Sequence, residues 1–137
     1  MTDRALKKVS QKTVVKVITR LKNGKASGPD GIPNEPYKIG SRLLAPILTK
    51  LYNLIITEGN PTPKAWNAGI MHIIYKGKGD ASDLINYRGI TVNNASSKIF
   101  TSIINNRLTE IVEEANILGN IQQGGRPSRV CHRLIFS

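Results

Sequence analysis

A single cysteine, Cys131, in a chain of 137 residues has nothing to pair with internally, so neither a disulfide framework nor a cysteine zinc site can be built. The two histidines, His72 and His132, stand too far apart in sequence to suggest a shared metal. This cysteine usage fits a reducing, intracellular setting, in nucleus or cytoplasm. No stretch approaches the ~18 apolar residues of a membrane span, and the opening MTDRALKKVSQK has cations but no apolar core of a signal peptide. Secreted and membrane-spanning readings therefore fall away. Aromatics are scarce at 5%, so a core must come mainly from Ile, Leu and Val. Acids are scarce too: nine Asp and Glu against twenty Lys and Arg give a formal charge of +11, which points to a polyanionic partner such as nucleic acid or an acidic membrane surface. The length suits one domain.

The cations are unevenly placed. Residues 1–25 hold eight of them, with Asp3 the only acid, and Val14, Val17, Ile18 and Leu21 recur at helical spacing. Residues 1–24 are thus read as a basic arm carrying a short amphipathic helix that stops at Asn23-Gly24. The following KASGPDGIPNEPYK, Lys25 to Lys38, is rich in Gly and Pro and is read as a loop without regular structure. A second helix is expected over SRLLAPILTKLYNLIITEG, with Leu44, Ile47, Leu48, Leu51, Leu54 and Ile55 on its buried face and Gly59 as its stop. GIMHIIYK and the run from Gly89 to Val92 read as two strands of a β-hairpin with a long, turn-rich tip, His72 being packed or at an edge. Ser96 or Ser97 can cap a third helix running to about Ala115, lined by Ile99, Phe100, Ile103, Ile104, Leu108, Ile111 and Val112. The fold class expected is α+β, about three helices around an antiparallel hairpin, with Leu48, Leu51, Ile55, Ile73, Ile99, Ile103 and Leu108 in the core.

Five strings, taken in order, carry a family resemblance: LKNGKASGPDGIPNE from Leu21 to Glu35, Trp66 with GIMHIIYKGKGD to Asp80, NYRGIT from Asn86, KIFTSIINNRL from Lys98, and QQGGRPSR from Gln122 to Arg129. Through them the chain resembles the fingers portion of a reverse transcriptase, the RNA-directed DNA polymerase of non-LTR, LINE-like retrotransposons. Residues 25–137 are then a partial fingers region. The resemblance implies a template-side loop at SGPDG, with Lys25 and Gly28, and a fingers arginine at Arg88 that contacts the incoming triphosphate, assisted by Lys78 and Lys76. A planar guanidinium suits phosphate oxygens, and cations on a hairpin can close over a triphosphate. Gly89 would let the backbone approach template, and Arg126 and Arg129 would face it. Read from the residues alone, the three hairpin cations are equally surface charges on an exposed turn, Asp30 belongs to an ordinary Asx turn, and the last arginines form a basic tail.

The resemblance further implies RNA template, DNA primer and nucleoside triphosphate as partners, and Mg²⁺ held by palm aspartates in the complete enzyme. The nine acids, Asp3, Asp30, Glu35, Glu58, Asp80, Asp83, Glu110, Glu113 and Glu114, include no Tyr-x-Asp-Asp string. No catalytic residue and no metal ligand are therefore assigned, the palm is expected to be missing, and this chain alone is expected to be inactive. The pattern departs from the family where no aromatic separates Gly125 from Arg126, where Arg133 replaces an acid, and where Asn93-Asn94 replaces an apolar pair. Such departures suit a decayed or truncated copy. A stand-alone basic nucleic-acid-binding module and a relic with no activity are the other readings.

Overall fold

The structure, a computed structural model, describes residues 6–115. Its elements are α1 (Gln11–Thr19), α2 (Asn34–Ile39), α3 (Ser41–Glu58), β1 (Ile70–Tyr75), β2 (Tyr87–Val92) and α4 (Ala95–Glu114), with single 3-10 turns at Lys64–Asn67 and Leu84–Asn86. The architecture is α+β, with four α-helices rather than three.

The additional helix, α2, arises inside the segment read as irregular. Pro33 precedes it and Pro36 falls in its first turn, where a backbone amide has no intrahelical partner to lose. Two prolines that argue against a helix interior are therefore compatible with a helix start.

The core joins α1, α3 and α4. Val14, Val17 and Ile18 of α1, Ala45, Leu48, Tyr52 and Ile56 of α3, and Ala95, Ile99 and Ile103 of α4 are buried. From Val9 onward the basic arm thus belongs to this core. The Asn53 side chain fastens it there, accepting from the Val9 amide at 2.7 Å and donating to the Val9 carbonyl at 3.0 Å. Ser10 caps α1 by accepting from the Thr13 amide.

Helix α3 buries a different face from the expected one. Leu48 is buried and Leu51 packs against the core, but Ile47 is 66% exposed, and the deepest position belongs to Tyr52. The reason is aromatic packing. Tyr52, Trp66 and Phe100 form a triad with ring centroids 5.3 to 6.1 Å apart, and Tyr52 donates to the Ser96 carbonyl at 2.8 Å while the Trp66 indole donates to Ser96 Oγ at 3.0 Å. Burial pushes the Tyr52 phenol far above its usual range. Gly59 ends α3 in the left-handed conformation, φ 68°, as expected.

The hairpin forms in the expected place, with Ile70 opposite Val92 and Tyr75 opposite Tyr87, but it contributes little to the core. Ile73 is 64% exposed and Leu108 48% exposed, so neither occupies the core position expected of it. A two-stranded ribbon has no third layer to cover it, and apolar residues on both of its faces stay in solvent.

Candidate nucleic-acid interface

Strand pairing decides which hairpin residues share a face. Ile70, His72 and Ile74 of β1 stand opposite Val92, Ile90 and Arg88 of β2, so these six side chains occupy one side of the ribbon. Met71, Ile73 and Tyr75, with Thr91, Gly89 and Tyr87, occupy the other. Arg88 and Gly89, adjacent in sequence, therefore face opposite ways. A Cβ at Gly89 would meet the flexible Met71 side chain, with Sδ at 3.2 Å.

Against the Arg88 side of the ribbon lies a cavity of about 540 Å³, with Ile74, Ile90 and Val92 on its floor and Lys25, Lys98 and His72 among its lining residues. His72 is exposed rather than packed. Lys98 stands in the first turns of α4, near the positive end of the helix dipole, and α4 has no acid in its first turn to offset it. The cavity lining contains no carboxylate. Such a surface attracts an anion and offers an apolar floor to a sugar or base. Lys98 and His72 escaped the sequence reading because nothing local marks them: the fold brings α4 and the ribbon to the loop at Lys25.

The tip of the hairpin is tied by its own polar groups. Lys76 donates its ammonium to the Ile85 carbonyl at 2.7 Å and its amide to the Asn86 carbonyl at 2.8 Å, while Asn86 donates to the Asp80 carbonyl at 2.8 Å. Tyr75 and Tyr87 meet in a tilted ring contact, centroids 5.4 Å apart, and donate to the Gly79 and Ala81 carbonyls respectively. Asp80 accepts from the Ser82 amide at 2.9 Å, which holds its carboxyl below the usual carboxylate range. Lys78 sits between Gly77 and Gly79, both at positive φ, at the outermost turn. The structure therefore puts Arg88 and Lys78 on the exposed hairpin and Lys25 beside its base, and engages Lys76 within the tip.

The SGPDG loop is held by packing. A Cβ at Gly28 would lie 2.5 Å from the Asn94 amide nitrogen, so only glycine fits. Asn94 is buried, accepts from the Asp30 amide at 3.2 Å and donates to the Ala65 carbonyl at 3.1 Å. Asp30 in turn accepts from the Ile32 amide at 3.0 Å, an Asx turn. Asn94, read from sequence as a polar intrusion into core, is a satisfied bridge between two loops. Arg126 and Arg129 lie outside the described residues.

Among the described residues no group of three or more His, Cys, Asp or Glu is placed to hold a metal ion. No helix among them is long and apolar enough to cross a membrane.

No protein-family model matches the chain. Over 113 residues it is 32% identical to the Drosophila melanogaster protein described as "Probable RNA-directed DNA polymerase from transposon X-element", an alignment covering 82% of this chain. The chain spans 12% of the length of that relative. The similarity supports a relationship between this chain and one short part of a transposon RNA-directed DNA polymerase.

Proposed function

We propose that the chain is a fingers-type segment of a non-LTR retrotransposon reverse transcriptase, contacting the RNA template and the incoming nucleoside triphosphate. The observation that carries the reading is the shared face of the hairpin, where Arg88 stands beyond a cavity bordered by Lys25 and Lys98. In this reading the template backbone passes Lys25 and Lys98, and a sugar or base rests on Ile74, Ile90 and Val92. Arg88, nearer the tip, and Lys78 take the triphosphate. The Arg88 guanidinium has no hydrogen-bond or ion-pair partner among the described residues, which leaves it available for a bidentate phosphate contact. Lys76 acts indirectly by holding the tip that presents Lys78. DNA primer and Mg²⁺ belong to the complete enzyme.

The test is a hybrid polymerase in which this segment replaces the matching part of the transposon relative. Arg88→Ala should raise the KM for nucleotide and slow incorporation, at a cost of about 1.5–3 kcal/mol for one charge-assisted phosphate bond, or roughly one to two decades. Template affinity should stay nearly unchanged. Equal losses in template binding and nucleotide use would sink the triphosphate assignment.

A further inference from the structure

A second charged cleft lies between α1 and α4 and shares no lining residue with the hairpin cavity. Its volume is about 470 Å³. It is lined by Thr13, Lys16 and Val17 of α1 with Arg20 at the C-cap of that helix, and by Ile103, Asn106, Arg107, Thr109 and Glu110 of α4. Val17 and Ile103 are buried and close the floor, so the polar residues form two rims running about 10 Å along the helices. Lys16 and Arg20 are exposed on one rim. Arg107 on the other donates to the Lys8 carbonyl at 3.1 Å, and Glu110 is the only acid in the cleft.

We propose that this cleft is a second nucleic-acid contact, gripping the phosphodiester backbone without reading sequence. Three cations against one carboxylate make the cleft a positive channel. The charge is drawn out in a line, and hydroxyl and amide donors of Thr13, Asn106 and Thr109 lie among the cations, the pattern of a backbone-tracking groove. A protein partner would want exposed apolar anchors, and here the apolar floor is already buried. Helix α4 links the two regions: Lys98 borders the hairpin cavity, and Asn106 to Glu110 lie ~12–18 Å further along the axis. One strand could engage both.

The experiment is anisotropy titration of the full chain with labelled single-stranded RNA and DNA of one sequence, across salt concentrations. Lys16→Gln with Arg20→Gln should weaken binding to both and reduce the slope of log affinity against log salt by about 1.4, ~0.7 for each lost phosphate contact. Lys50→Gln with Lys64→Gln removes the same charge from positions that line neither cleft, and should change the slope much less. Glu110→Gln should tighten binding, a gain that a poorly folded variant could not produce. Equal slopes for the two double variants, a loss confined to RNA, or weaker binding by Glu110→Gln would each overturn the proposal. Because none of these residues borders the hairpin cavity, the nucleotide KM test of Arg88 can fail or succeed independently.

Discussion

Asn94 is where a single side chain carries most of the local order. It joins the Asp30 amide to the Ala65 carbonyl, and Gly28 packs directly on its backbone. Asn94→Ala leaves those partners unpaired at a buried site and should cost about 1–3 kcal/mol in urea unfolding. Gly28→Ala forces a methyl group against backbone that cannot yield, at a similar cost of about 1–3 kcal/mol. The partners of Asn94 lie 64 and 29 residues away in sequence, which is why its role could not be read locally. Glu35 shows the same at the surface. It accepts from the Gly24 amide at 2.6 Å, and this bond, with a second from its own amide and the Lys38 charge, holds its carboxyl below the usual value of 4.5. A depressed carboxyl stabilises the fold above its unfolded pKa, and the contribution is lost as pH falls through the lower folded value. Wild type should therefore lose stability on acidification, from about pH 4.5 downward, more steeply than Glu35→Gln in parallel melts.

At the level of elements, α3 separates what hydropathy pattern can and cannot decide. Its length and its glycine stop follow from sequence, but its apolar residues run around more than one side, so several faces could be buried. The aromatic triad selects the face containing Tyr52. Leu48→Ala should accordingly cost about 2–5 kcal/mol, because it opens a cavity. Ile47→Ser, on the face favoured by periodicity but 66% exposed, should shift the unfolding midpoint by little. Comparable losses from both substitutions would mean that the face is misassigned. The hairpin shows the complementary case: the apolar runs and turn residues specify two strands, but nothing in them says whether another layer will cover the ribbon.

For the molecule as a whole, burial and charge are divided between regions. The three-helix core holds nearly all the buried apolar residues, while the hairpin keeps Met71 67% and Ile73 64% exposed. Exposed apolar surface on an edge strand favours self-association. The isolated chain should associate as concentration rises, and Met71→Lys with Ile73→Lys should reduce that association in sedimentation experiments without lowering thermal stability. A wild-type chain that stays monomeric across the same range would contradict this account. The charge of +11 keeps molecules apart at low salt, so association should increase as salt screens it.

Local chemistry alone determined the α+β class, the hairpin and its pairing region, the limits of α3, the far end of α4 and the net positive charge. Each depends on neighbours within one or two turns or on a sum over the chain, and such properties survive without knowledge of the fold. Tertiary structure alone decided that Pro33 and Pro36 open a helix, that Tyr52 is the centre of the core, and that Asn94 is a bridge. It also decided that Lys98 joins Lys25 beside the hairpin, and that Lys16, Arg20 and Arg107 line one cleft. These depend on contacts between distant segments, where packing chooses among faces that sequence periodicity leaves nearly equivalent.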